Sequence, residues 1–266
     1  MEILFNILNV IKYLIYALLI IAFVIFIFLN VSPVFGASPD KNTKEIIVNS
    51  ENFFEGKFRN IKTTYTNFRT LERKSTLKEW FFPPKDKNPL GPLPTIKFQG
   101  QDLTEGKFVW FGHSTLLMKT EGLVVMTDPV FNRASPLPSF SSKSKSSFFN
   151  GKPFVFENPI LIEDLPKVDI VIISHDHYDH LDSKAIKDLS NLVDHFIVPL
   201  GVGAHLERWG VDKNKITELD WYESKIYKDV EFIFAPALHF SGRGITNGNS
   251  TLWGSWIVKS KSLSAY

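Results

Sequence analysis

The sequence contains no cysteine. Disulfides and thiolate metal ligands are therefore excluded, and any metal ion has to be held by imidazole and carboxylate groups. Net charge is also scarce. Lys and Arg number 30 against 28 Asp and Glu, a balance of +2, so no basic field calls for a nucleic-acid partner. No internal repeat of fixed period is present. What the chain does have is apolar mass: 44% of its 266 residues are hydrophobic and 14% aromatic. That is enough to bury the core of one enzyme-sized domain.

The N-terminus is made of different material. From Tyr13 to Leu29 there is no charged or strongly polar side chain, a length at the lower limit for crossing a bilayer. The stretch Ile3–Ile11 can lengthen the helix, with Lys12 snorkelling toward the headgroups. A cleaved signal peptide is the rival, but its apolar region would be unusually long and Phe35, two before Ala37, spoils the small-x-small pattern. Residues 1–31 therefore read as an uncleaved membrane anchor. Lys12 on one side and Lys41 and Lys44 on the other leave its orientation unset.

Residues 32–105 read as an extended lead-in punctuated by Pro33, Gly36, Pro39, Pro83, Pro84 and Pro89; only 61–80 has helix formers in quantity. The pattern changes at 106. Lys107–Phe111, Ser114–Lys119 and Leu123–Thr127 are strand runs, with Gly122 placed for a tight hairpin. Residues 134–153, rich in Ser, Lys and Pro, form a loop. Its Lys143, Lys145 and Lys152 suit a solvated surface, or contact with anionic lipid headgroups beside an anchor. Asp169–Ile173 has the continuous apolar character of a buried strand. A helix follows over Ser183–Leu192 with Asp182 or Ser183 as N-cap, then a strand at Phe196–Val198, a helix over Gly203–Trp209, and strands at Val230–Phe234 and Leu252–Val258. Residues 106–266 thus predict one layered domain of mixed strands and helices.

The chemistry concentrates at His175-Asp176-His177-Tyr178-Asp179-His180. Three of the seven histidines fall within these six residues, directly after the buried strand, where open sheets place their functional loops. His175 and His177 alternate as on an extended segment, whereas Asp179 and His180 are adjacent and point apart. One short loop can therefore present two neighbouring donor sets, and imidazole plus carboxylate suits zinc or a similar divalent ion. His239, just past the strand Val230–Phe234, is the natural third imidazole. His113 lies near a strand end and reads as a buried structural histidine in preference to a ligand. Asp128 either orients a ligand histidine or caps a turn before Pro129. Asp176 is a second orienting carboxylate. Arg243 offers a phosphate contact or plain surface charge. His195 and His205 carry no constellation.

His-x-His-x-Asp-His after an apolar strand resembles the signature of the metallo-β-lactamase superfamily. The segments Trp110–Thr115, Thr127–Phe131, Ile173–Asp182, Val198–Gly201, Glu218–Trp221 and Leu252–Trp256 further resemble the N-acylphosphatidylethanolamine-hydrolysing phospholipase D group. The resemblance implies an α+β fold, the αββα sandwich of that superfamily, and two zinc ions. His175, His177 and His239 would hold one, and Asp179 and His180 the other, with Asp179 and His180 also counted as catalytic. It implies hydrolysis of a phosphodiester in a phospholipid-like substrate. Lactones and other esters are alternative substrates for the same fold. The family pattern continues with a Gly-Asp turn, whose Asp bridges the metals, and a later His. The sequence ends at Tyr266 before either. The expectation is thus a sandwich incomplete at its C-terminus, a fragment or an inactive remnant with a membrane anchor. Oligomeric state is not set.

Overall fold

The computed structural model describes residues 2–62, 89–136 and 154–266. Most of the helix formers of 61–80 and the basic loop with Lys143, Lys145 and Lys152 lie outside the described residues. The chain divides into two compact units, Met1–Phe35 and Gly36–Tyr266.

The first unit is helix α1, Glu2–Val31, closed by a single turn at Pro33–Phe35 and an edge-on contact of Phe28 with Phe35. At 1.5 Å per residue its 30 residues span about 45 Å, more than the roughly 30 Å hydrocarbon core of a bilayer. Phe5–Val31 is apolar enough to cross a membrane, though a signal sequence has the same character.

The second unit begins with a departure from the extended lead-in expected there. Helix α2 runs over Lys41–Asn49, and the Asp40 side chain caps it by accepting from the Thr43 N–H. A hairpin of β1 (Phe53–Phe54) and β2 (Lys57–Phe58) follows. Its turn residues Glu55 and Gly56 both have positive φ, the backbone a two-residue hairpin requires. Ile47 and Phe58 from this region are buried in the main core.

Six strands form the larger sheet: β3 (Phe108–Gly112), β4 (Thr115–Thr120), β5 (Leu123–Thr127), β6 (Val168–Ile172), β7 (Val193–Pro199) and β8 (Ile216–Leu219), in that spatial order. β3 to β5 are antiparallel hairpins, and β5 to β8 are parallel. The parallel connections carry helices α3 (Ser183–Leu189) and α4 (Gly203–Arg208). Asp182 caps α3, accepting from the N–H groups of Lys184 and Ala185. The second sheet is an antiparallel meander of β9 (Ser224–Tyr227), β10 (Val230–Ala235), β11 (Ser255–Lys259) and β12 (Ser264–Ala265).

Alternation along the strands explains the layering. In β10, Val230, Phe232 and Phe234 are buried while the residues between are half-buried. Those three meet Val125, Ile170, Ile172 and Ile197 of the larger sheet to form the core between sheets. The larger sheet's other face, with Val124, Met126, Val171 and Phe196, packs against Ile186 and Leu189 of α3 and Leu206 of α4. Because β6 is covered on both faces, four of its five residues are buried, as its continuous apolar run required.

Candidate metal centre

The parallel arrangement sends the C-terminal ends of β5 and β6 to one edge of the sandwich, the usual location for function in such sheets. Asp128 leaves β5 there, the segment 173–180 leaves β6, and His239 arrives from the end of β10 in the other sheet. His113 joins them from the turn between β3 and β4.

Two donor groups result. In the first, His175 Nε2 lies 2.9 Å from His177 Nδ1 and 3.0 Å from His239 Nε2. In the second, His113 Nε2 lies 3.2 Å from His180 Nε2 and 3.1 Å from Asp179 Oδ2, and the last two atoms are 3.8 Å apart. Within each group the donor atoms all fall within 4.8 Å of one another. The structure thus brings His175, His177 and His239 together, and Asp179 with His180. It also adds His113, for which the sequence favoured a structural role.

One carboxylate supports both groups. Asp128 accepts from the Ser174 N–H (2.7 Å), the Ser174 hydroxyl (2.7 Å) and His180 Nδ1 (2.8 Å). His180 Nδ1 must then carry its proton, leaving Nε2 as a bare lone pair facing the second group. The Ser174 hydroxyl has one proton and gives it to Asp128. It can therefore only accept from His175 Nδ1, 2.9 Å away, and His175 Nε2 is bare as well. The turn-capping alternative for Asp128 gives way to this orienting geometry. Its φ of 36° puts it in the left-handed region, which Asp tolerates better than most residues.

Charge states follow. Burial, then the neighbouring His180, His177 and His239, push His175 down to about 2. Burial lowers His177 and His239 as well. These three rings are neutral at physiological pH, the form that binds metal. His180 differs. Burial lowers it, but the hydrogen bond and charge of Asp128, with Asp179, outweigh that and raise it.

The donor set fits a divalent ion. Zinc–nitrogen bonds of 2.0–2.1 Å in tetrahedral geometry place ligand atoms about 3.3 Å apart. The separations in the first group, 2.9 and 3.0 Å, lie a few tenths of an ångström below that spacing, and those in the second, 3.1 to 3.8 Å, lie around it. The bare lone pairs of His175 and His180 each face further imidazole nitrogens at 2.9 to 3.2 Å.

Asp176 and Arg243 sit beneath the loop. Asp176 is fully buried and accepts from the Gly242 N–H (2.6 Å), the Thr251 hydroxyl (2.9 Å) and His205 Nε2 (3.4 Å). Burial alone would raise its carboxyl. His205, the Gly242 N–H and Arg243 prevail and hold it well below the usual carboxylate range. Asp176 thus reaches no ligand imidazole directly and fixes the loop between His175 and His177. Arg243 fits neither of its two expected roles, a phosphate contact or plain surface charge. It is 3% exposed, donates to the backbone carbonyls of Asp176 and Leu181 at 2.7 Å, and stacks over Tyr178 and Trp209. A buried guanidinium tied to the loop backbone cannot greet a substrate.

His205 is the residue that sequence reading missed. Its Nδ1 accepts from the Ala37 N–H at 3.0 Å, so Nε2 carries the proton toward Asp176. Gly36 has φ +76°, and a Cβ there would lie 2.1 Å from His205 Nδ1, so only glycine fits. No spacing in the sequence links residues so far apart. His195 is bonded to Thr217 within the larger sheet and takes no part. Around the mouth, Trp110 is 67% exposed and donates to the His113 carbonyl. Leu238 is exposed beside His239, and Phe240 packs on His177 and His239.

Comparison with known proteins adds three findings. Residues 124–266 match the model of the beta-lactamase superfamily domain. An uncharacterised protein of Mycobacterium tuberculosis is 40% identical over 183 residues, 67% of this chain and 46% of that protein. The N-acyl-phosphatidylethanolamine-hydrolyzing phospholipase D 1 of Caenorhabditis elegans is 35% identical over 188 residues, 66% of this chain and 50% of that protein. The chain thus spans about half the length of these relatives. Among solved structures, the diiron β-hydroxylase CmlA of Streptomyces venezuelae is 23% identical, with 60% of this chain and 29% of CmlA covered at a TM-score of 0.43.

Proposed function

Because the chain belongs to the beta-lactamase superfamily and has its metallo-β-lactamase-like α+β fold, we propose that it is a zinc-dependent hydrolase of phosphodiesters in N-acylphosphatidylethanolamine-like lipids. The observation that carries this is the pair of adjoining donor groups resting on one carboxylate, Asp128. His175, His177 and His239 would hold one ion, and Asp179 and His180 the second. Bound there, the ions would supply Lewis-acid stabilisation of developing charge and make water acidic enough to ionise near neutral pH. The chain's own residues do the rest. Asp128 and Ser174 keep the lone pairs of His175 and His180 aimed at the ions. Asp176, His205 and Arg243 hold the loop rigid, so the donors stay in place.

Three features favour a lipid among substrates. Trp110, Leu238 and Phe240 expose apolar surface beside the donors, suited to acyl chains. The relative from Caenorhabditis elegans is named for that lipid. Helix α1 would hold the chain at the membrane where such lipids reside.

The test loads the chain with zinc in mixed micelles and offers N-acylphosphatidylethanolamine, a lactone and a simple carboxylate ester. The expected products of the first are phosphatidic acid and N-acylethanolamine, one water consumed per P–O bond broken. Chelation and His177→Ala should each abolish them. Turnover of the lactone or ester alone moves the assignment to that alternative. A zinc-loaded chain that hydrolyses none refutes the reading.

A further inference from the structure

We propose that His113 is a third protein ligand of the second metal ion, beside Asp179 and His180. This rests on the metal-centre reading above and goes beyond it, since that reading draws only two donors for the second ion.

Three independent observations meet at His113. The first is convergence. Its Nε2 is 3.2 Å from His180 Nε2 and 3.1 Å from Asp179 Oδ2, the spacing of ligand atoms around a zinc ion. The second is lone-pair direction. His180 Nδ1 gives its proton to Asp128, so Nε2 turns a bare lone pair toward His113 and Asp179. A lone pair, a carboxylate oxygen and an imidazole nitrogen make the mixed N and O set that divalent ions of this class prefer. The third is backbone strain. His113 has φ +45° and Gly112 before it has φ +108°, and the β3–β4 ladder shifts register between Trp110 and Gly112. Bulges of this kind re-aim a side chain, and left-handed backbone at a non-glycine residue gathers at functional sites. The Trp110 indole N–H, bonded to the His113 carbonyl at 3.0 Å, holds the turn in that shape.

His113 is mostly exposed, and a core histidine would not need such a turn. With it the second group has two imidazoles and a carboxylate from three positions on the chain. The sequence left a place near the site open for His113 but favoured a structural role, because His113 lies far along the chain from the His175–His180 cluster.

Zinc alone is the probe. The full chain in detergent is stripped of metal and titrated with zinc against a chromophoric chelator. The wild type should show two affinity classes. His113→Ala should leave the tighter class unchanged and weaken the other by at least about 100-fold, more than loss of an outer-shell partner does. Asp179→Asn should produce the same pattern. In the cobalt-loaded protein, His113→Ala should remove one hyperfine-shifted imidazole N–H proton resonance. An unchanged tighter class reports that the variant is folded. If it is lost too, His113→Asn, which keeps a polar side chain but ligates zinc poorly, replaces the alanine variant. Two wild-type affinity classes in a folded His113 variant overturn the proposal, as does a wild type with only one class. A wild type that binds no zinc overturns the metal-centre reading itself.

Discussion

Replacing Asp128 with asparagine should invert the protonation of both donor groups at once. The substitution keeps shape, and Asn tolerates the left-handed backbone at this position about as well as Asp. Its amide oxygen can still accept from the Ser174 N–H, now 2.7 Å from Asp128 Oδ1. The amide NH2 then stands where Oδ2 met the Ser174 hydroxyl and His180 Nδ1. A donor there forces His180 to accept at Nδ1 and to carry its proton on Nε2, the atom that faces the second group. Ser174, no longer able to donate to Asp128, turns its proton toward His175 Nδ1, and His175 Nε2 becomes protonated in turn. Turning the amide over is no escape, since it would set NH2 against the Ser174 N–H. Loss of such an orienting partner costs metal affinity about 10–100-fold, or about 1.4–2.7 kcal/mol at each group. Apo stability should fall by about 1–3 kcal/mol from the weakened buried hydrogen bonds. Asp128→Ala should cost stability further by about 1–2 kcal/mol, because alanine resists positive φ. The measurement is zinc affinity by chelator competition, with urea unfolding of the apo chain alongside. Asp128→Asn with wild-type affinity at both sites would show that the tautomers are not set by this carboxylate.

Other outcomes follow from the same geometry. His180 is raised above its ordinary 6.5 while His175, His177 and His239 are lowered, so acid should strip the two sites in sequence. Affinity at the second site should fall by about tenfold per pH unit once pH drops through the raised value, with the first site holding to lower pH; zinc titrations between about pH 8 and about pH 6 check the order, and its reversal contradicts the assigned charge states. Gly36→Ala drives a methyl group into His205 and should lower stability by about 1–3 kcal/mol; a urea midpoint that does not move counts against that contact. Trp253 is fully buried, bonds the Ala237 carbonyl and packs on Trp221. Trp253→Ala should lose about 3–5 kcal/mol, read from the same unfolding curve.

Strands that are buried on both faces announced themselves. β6 is a continuous apolar run, and the alternation in β10 shows which face is inward. The edge strands β8 and β9 did not. β8 is Ile-Thr-Glu-Leu and β9 Ser-Lys-Ile-Tyr, each too short and too polar to stand out, and they become strands only because a neighbour supplies hydrogen bonds. Helix α2 was hidden by the prolines around it, although Asp40 was already a good cap. The donor cluster 175–180 was legible because its members are contiguous. His239 was legible because it follows a strand. Asp128 was half legible. The bonding of Asp176 to His205 and of Ala37 to His205 was not, since it depends on how distant loops meet, and neither was the burial of Arg243, whose charge alone suggested a surface position.

His175 and His177 hang from the six-stranded sheet, while His239 hangs from the four-stranded one. An ion held by all three would therefore be a cross-link between the two halves of the sandwich in a chain that has no disulfide to serve that purpose. Its strength would depend on supply. At a free zinc level a thousand times the dissociation constant, the folded form gains about 4 kcal/mol, a large share of the stability of an ordinary domain. Metal scarcity would then loosen the seam between the sheets as well as silence the chemistry at its edge.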